Sequence, residues 1–224
     1  MLIKSMGNKG SNTDKGAVVV KDVFCGAGGA SMGFSRVGIK NIVGYDKEIQ
    51  PEYPFTFIKA DVRELIPEDF DDAILLWASP PCQKFTWASK KHQNNGKSYD
   101  DFIDFTRKLF LKTGIPFVIE NVCTAPIKKD LMLTGDMFGL RCIKARAFEI
   151  HGFKVRQPFA QKRIGTVKEN EYVTVAGHGG DGKSARRLWQ IAMGTPWIED
   201  KHMLAEAIPP AYSEYIMREF LWQM

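Results

Sequence analysis

A thiol and a carboxyl group stand at corresponding places after two successive apolar runs. Cys82 follows the run 74–78 through Ser79, Pro80 and Pro81, and Glu120 closes the run 116–119, with Asn121 and Val122 next. A thiolate adds to electron-poor carbon, and a carboxylic acid beside it can supply or hold a proton on the same ring. A Pro-Pro turn fixes φ twice, so a strand ending there presents its next side chain at the carboxyl edge of a sheet, where open α/β folds bind ligands. Taken singly, Cys82 reads as a small buried hydrophobe and Glu120 as a solvated strand end. A third strand-end feature changes the balance, because the run 17–24 leads into Cys25-Gly26-Ala27-Gly28-Gly29. Three such features in this order describe one cleft.

Alternating strands and helices must carry them. β-branched residues give a strand over 17–24, then a helix over 30–37 and a second strand over 41–45, which is a βαβ opening. Further strands are expected over 55–59, 74–78 and 116–119, with a helix over 99–112 joining the last two. The pattern predicts an α/β fold with a mostly parallel, doubly wound sheet covered on both faces. Past Glu120 the rhythm loosens into short strands over 148–155 and 172–175 and helices over 184–193 and 212–222. Residues 1–16 are polar and aperiodic and read as a loose, flexible tail.

A length of 224 residues suits one well-buried domain, and 44% hydrophobic with 25% charged residues is ordinary for a soluble globular chain. The net charge of +5 permits a polyanionic partner without requiring one. Four cysteines, at positions 25, 82, 123 and 142, form no CxxC pair, and no His completes a zinc site, so no metal is expected. Neither a bilayer-length apolar run nor a signal-peptide pattern is present. The chain therefore reads as soluble and intracellular, cytoplasmic or nucleoid-associated, with reduced thiols and no membrane partner.

The turn 24–29 lets backbone approach a ligand and aims unpaired helix N–H groups at it. Its spacing is not GxGxxG, and such turns also serve dinucleotides, flavins or packing alone. Asp46, after the second strand, is placed to accept hydrogen bonds from ribose hydroxyls or, alternatively, to cap a helix. Asp61, after the third, is placed to face an adenine amine.

Phe24-Cys25-Gly26-Ala27-Gly28-Gly29, Pro81-Cys82-Gln83 and Glu120-Asn121-Val122 resemble, in this order, the cofactor turn, nucleophile loop and acid motif of cytosine-5 DNA methyltransferases. Lys144-Ala145-Arg146 is similar to the family's arginine-bearing strand, and Arg187-Leu188 through Gly194-Thr195-Pro196 to the segment after target recognition. Residues 206–216 stand where the family's last motif completes the cofactor pocket. The resemblance covers nearly the whole chain from Val18 onward. It implies a Rossmann-like S-adenosylmethionine-dependent methyltransferase fold with a small C-terminal recognition segment. The implied division is a tail over 1–16, a catalytic domain over 17–148, a reduced target-recognition segment over 149–186, and the rest of the catalytic domain over 187–224.

The resemblance further implies S-adenosylmethionine as cofactor, held by Phe24, Cys25, Gly26, Ala27, Gly28, Gly29, Asp46, Lys47, Asp61, Val62, Pro80 and Ala211. In the implied chemistry Cys82, with Gln83 beside it, adds to carbon 6 of cytosine, and Glu120 stabilises the proton on ring nitrogen 3. Asn121 holds the loop, and Arg146 contacts the cytosine carbonyl oxygen. The cytosine of double-stranded DNA must be flipped out, at a cost of about a few kcal/mol. The loop 84–99, with Lys84, Lys90, Lys91, His92 and Lys97 around Trp87, suits closure over phosphates.

Three departures stand out. Cys142 and Lys144 replace the Gln and first Arg of the arginine strand, and Ile208-Pro209-Pro210 replaces a Gly-Asn-Ser. The segment 149–186, with Arg156, Lys162, Arg163, Lys168 and Lys183, is too short to read many base pairs, which implies relaxed specificity. Competing readings are an RNA (tRNA) cytosine-5 methyltransferase, a catalytically silent nucleic-acid-binding module and a dinucleotide oxidoreductase. Intact Cys82 and Glu120 weigh against the silent module, and the missing GxGxxG weighs against the oxidoreductase.

Overall fold

The computed structural model describes residues 18–81, 102–160, 172–175 and 186–224. The tail 1–16, Cys82, Gln83, the loop 84–99 and most of the basic stretch 161–185 lie outside the described residues. Five strands, β1 (Val19–Val23), β2 (Asn41–Asp46), β3 (Thr56–Lys59), β4 (Ala73–Ala78) and β5 (Phe117–Asn121), run parallel. With β6 (Leu131–Leu133) and β7 (Arg146–His151) they form, among the described residues, a seven-stranded sheet in the order β3-β2-β1-β4-β5-β7-β6. β7 is antiparallel to both its neighbours. The order reverses between β1 and β4, which places a binding crevice above the carboxyl ends of those strands.

Five helices are described: α1 (Gly29–Arg36), α2 (Phe102–Thr113), α3 (Arg186–Met193), α4 (Lys201–Glu206) and α5 (Pro210–Leu221). On one face Phe34 of α1 and Tyr212, Ile216 and Met217 of α5 cover Val20, Leu75, Trp77 and Phe148. On the other, Ile103, Leu109 and Phe110 of α2 pack with Leu76, Phe117 and Ile119. Trp77 is fully buried, with Phe34 and Phe148 rings 5.4 and 5.8 Å away. The β4 sequence AILLWA is apolar throughout because both faces of a central parallel strand are covered.

The later elements differ from the sequence reading in identifiable ways. β7 starts at Arg146 and stops at His151, because Gly152 turns the chain with φ 88°. The pairing of Phe117 with His151 makes residues 149–151 part of the sheet, so the expected domain boundary after 148 falls inside a strand. The strand expected over 172–175 is only an isolated bridge between Cys142 and Val173. β6 and α4 are too short to leave a periodic signal. α5 starts at Pro210 rather than at position 212, since a first-turn proline loses no helical hydrogen bond. β1 buries both Lys21 and Asp22 inside what reads as an apolar run. Lys21 donates to the Asp69 carbonyl and pairs with Asp72.

α1 meets α5 at glycine. A Cβ on Gly33 would overlap the Ser213 hydroxyl and the Pro210 carbonyl. Gly33→Ala should therefore force the helices apart and cost about 1–3 kcal/mol of stability. Urea unfolding measures this, and an unchanged midpoint would contradict so close an approach.

Candidate active site

β1 gives way to a turn at Phe24, whose φ of 59° is left-handed for a residue with a side chain. Such strain costs about 1–3 kcal/mol and persists only where the surroundings hold it. Here the Phe24 ring packs edge-on against Phe102, 5.7 Å between centroids. Gly26 and Gly28, at φ 48° and 83°, complete the turn into α1. The C-terminal part of the chain grips this turn. Trp197 Nε1 donates to the Ala27 carbonyl at 2.9 Å, Ser213 Oγ donates to the Ala30 carbonyl at 2.7 Å, and Ile208 backbone occupies the space where Gly29 lacks a side chain.

Asp46 ends β2 facing the same turn. Its Oδ2 accepts from the Gly26 N–H at 3.2 Å and its Oδ1 from the Glu48 N–H at 3.1 Å. No helix follows β2, so the capping alternative falls away. Each carboxylate oxygen keeps lone-pair capacity for a ligand hydroxyl. Asp61 caps the single turn Val62–Glu64, and Arg63 reaches its two oxygens at 3.0 and 2.6 Å. The Arg63 hydrogen bonds pull the Asp61 carboxyl down to about 2. Exposed Lys47 adds to that lowering. Val62 is buried in the core and Ala211 is half-buried in the first turn of α5. Cys25 and Ala27 are buried too.

Ala78 of β4 lies opposite Ile119 of β5, so the segments after them emerge side by side. Asn121 joins the two. Its Nδ2 donates to the Pro80 carbonyl at 2.9 Å while its Oδ1 accepts the Val122 N–H at 2.9 Å. The Ser79 N–H donates to the Val23 carbonyl at 3.1 Å, anchoring the same segment to β1. The approach to Cys82 is thus fixed up to buried Pro80.

Glu120 is 5% exposed, and Arg146, the first residue of β7, places Nε 2.8 Å from its Oε1. That oxygen is nonetheless buried without a hydrogen bond, so the contact is an ion pair whose N–H does not point along it. Burial lifts the Glu120 carboxyl above its usual range, while Arg146, a hydrogen bond with Ser79, and Lys144 restrain the rise. A carboxyl held this way stays protonated at higher pH than a free one, as a proton donor must. Lys144, at φ 37°, donates from Nζ to the Ala205 carbonyl and accepts the Tyr212 hydroxyl on its own carbonyl at 3.0 Å. Cys142 is fully buried, its thiol directed at the Ala192 carbonyl at 3.3 Å.

The structure therefore brings Phe24 to Gly29, Asp46, Pro80, Glu120, Asn121 and Arg146 to one strand edge. Among the described residues no cluster suits a metal ion, and no helix is long and apolar enough to cross a membrane. Sequence reasoning missed Asp22, Ser31, Tyr53, Ser79 and Trp197. Asp22 left one signal, a charge inside an otherwise apolar strand; the others left none.

The family model for C-5 cytosine-specific DNA methylases matches residues 18–130, and the chain belongs to that family. It is 31% identical over 119 residues to the Type II methyltransferase M.FnuDI of Fusobacterium nucleatum, across 47% of this chain and 35% of that one. The Type II methyltransferase M.SsoII of Shigella sonnei is 24% identical over 218 residues, across 94% of this chain and 55% of its own length. The chain thus spans from about a third to about half of these relatives. The Entamoeba histolytica methyltransferase EhMeth has the same fold, with a TM-score of 0.64 at 11% identity over 92% of this chain and 98% of that chain. The fold is the Rossmann-like one of S-adenosylmethionine-dependent methyltransferases.

Arg146→Ala should cost about 3–5 kcal/mol at neutral pH, because it leaves a buried carboxylate unpaired. Glu120 has a folded pKa above its unfolded one, so its stabilising share is full below the free carboxyl's titration and is lost as pH rises through the folded value. Removing Arg146 lifts that value further, so the deficit should widen from acid to neutral pH. Urea unfolding at both reads it, and an equal deficit would contradict the pairing.

Proposed function

We propose that this cleft is the active site of a DNA cytosine-5 methyltransferase that uses S-adenosylmethionine and acts on a cytosine turned out of double-stranded DNA. The observation that carries the reading is buried Glu120, its Oε1 ion-paired with Arg146 at 2.8 Å, beside Asn121, which is bonded to the segment that leads into Cys82. The donor set suits the cofactor: a turn that opens on free space at Gly26, and Asp46 facing it with acceptor capacity to spare. When bound, S-adenosylmethionine supplies an electrophilic methyl group.

Cys82 adds as a thiolate to carbon 6 of cytosine, and the electrons released make carbon 5 nucleophilic. Glu120 holds a proton on ring nitrogen 3, which takes up the negative charge of the adduct. Arg146 keeps that carboxyl in place and contacts the carbonyl oxygen of the ring. After carbon 5 gains the methyl group, its proton passes to water, the electrons of that C–H bond re-form the carbon 5–carbon 6 double bond, and Cys82 leaves as a thiolate. Asn121 fastens Pro80, two residues before Cys82, to the strand end that carries Glu120, and bringing nucleophile and acid to one ring supplies much of the barrier reduction.

The stretch 149–186 remains our candidate for a reduced target-recognition segment, but its first part is bound to the catalytic body. Arg156 pairs with Glu219 of α5 at 3.0 Å and Gln157 Nε2 donates to the Met132 carbonyl at 2.7 Å. A stretch of this length, with Arg156 and Gln157 already engaged, supports recognition of one to a few base pairs around the cytosine.

Incubation with labelled cofactor and DNA duplexes of varied flanking sequence, or RNA, followed by nucleoside mass spectrometry, tests this. 5-Methylcytosine should form in most DNA contexts. Methyl groups in RNA alone would replace the reading with an RNA enzyme, and none in either would remove it. Glu120→Gln should lower turnover about a hundredfold, the usual size of a general-acid contribution, with DNA affinity nearly intact. Collapsed affinity with normal turnover of the bound enzyme would make Glu120 a structural residue.

A further inference from the structure

Beneath the glycine turn runs a hydrogen-bond chain that the mechanism does not use. Asp22, on β1, is 1% exposed, and its Oδ2 accepts from the Ser31 hydroxyl at 2.6 Å. Ser31 lies fully buried in the first turn of α1, with its Oγ 2.8 Å from the Tyr53 hydroxyl. The other Asp22 oxygen, Oδ1, is buried without a hydrogen bond among the described residues. Tyr53 comes from the connection between β2 and β3, and its ring fills space that two glycines leave open. A Cβ on Gly28 would stand 3.0 Å from the ring, and one on Gly44 would overlap its hydroxyl end. The chain Asp22–Ser31–Tyr53 therefore underlies both walls of the proposed cofactor pocket, the glycine turn and the strand that carries Asp46.

Several groups face Asp22. Asp46 on β2 and Glu120 on β5 oppose its ionisation, while the Ser31 hydrogen bonds favour it. The Cys25 thiol and the Tyr53 hydroxyl, both raised by burial, stay neutral beside it. Lys21 reaches instead toward Asp69 and Asp72. Burial is the largest influence and pushes the Asp22 carboxyl up to about 7. A buried group balanced near neutrality changes its charge with small changes in surroundings.

We propose that Asp22 is a positioning residue of the cofactor pocket whose ionisation favours the cationic methyl donor over the uncharged sulfide left after transfer. The inference rests on the methyltransferase reading given above. S-adenosylmethionine carries a sulfonium charge that S-adenosylhomocysteine lacks. Ionised Asp22 adds one negative charge under the turn and fixes the direction of the chain, Tyr53 donating to Ser31 and Ser31 to Asp22. Protonation removes both effects, and with them part of the preference for donor over product.

Calorimetric titration of the full chain with each of the two ligands, at about pH 6 and about pH 8, spans the transition. Asp22→Asn serves as reference, since titration of the ligands' own amines is common to both proteins. The donor-to-product affinity ratio should rise roughly fivefold more in the wild type than in Asp22→Asn, the size of one partly screened charge contact. Equal changes in the two proteins would overturn the inference and leave the methyltransferase reading standing. Absence of binding by either ligand to the wild type would overturn that reading and the inference with it. Should Asp22→Asn fail to fold, Ser31→Ala tests the same point. Without the hydroxyl Asp22 ionises at higher pH, so the rise in the ratio must shift upward, and an unshifted rise would overturn the inference.

Discussion

A carboxyl group taken out of water must be offset by a neighbouring charge or keep its proton, and Glu120 is held between these outcomes. Arg146 reaches it only because β7 runs antiparallel beside β5, with Asn121 opposite Ala147 and Glu120 opposite Phe148. The reversed strand starts at Arg146, at the carboxyl edge where β5 ends, so the guanidinium stands beside the acid. A parallel strand in that place would begin at the opposite edge of the sheet. The architecture of the C-terminal half thus answers to one ion pair.

The glycine turn depends on the same half of the chain. Trp197 donates to Ala27 across 170 residues of sequence, and Ser213 to Ala30 across 183. These contacts hold a turn in which Phe24 is left-handed and Asp46 bridges back to Gly26. A binding turn with so little side-chain mass has few packing contacts of its own, so its order comes from what surrounds it. The working geometry of the glycine turn is therefore shared between the two ends of the domain.

The parallel strands were legible because central buried strands are continuous apolar runs, and β4 is the clearest case. Glu120, Asn121 and Asp46 were legible because strand ends mark the ligand edge. What joins them was not. Nothing in the sequence says that Asn121 binds Pro80 or that Glu219 occupies Arg156, since these are tertiary partners without a fixed spacing. The departure at Lys144 acquires a physical sense in the fold. Its ammonium binds the Ala205 carbonyl and its own carbonyl accepts from Tyr212, so the strand entry is fastened to the helices behind it. The short elements β6 and α4 went unread because three residues hold less than two strand periods and six hold less than two helical turns.

The covalent route through Cys82 is the claim on which the functional account stands. A duplex carrying 5-fluorocytosine, incubated with the full chain and the methyl donor, tests it most directly, because fluorine on carbon 5 cannot leave as a proton and the carbon–sulfur bond then persists. The expected result is a denaturation-resistant adduct whose peptide mass places the nucleotide on Cys82, and none with Cys82→Ala. No adduct with methylation-competent enzyme, or an adduct mapped to Cys25, Cys123 or Cys142, would contradict it.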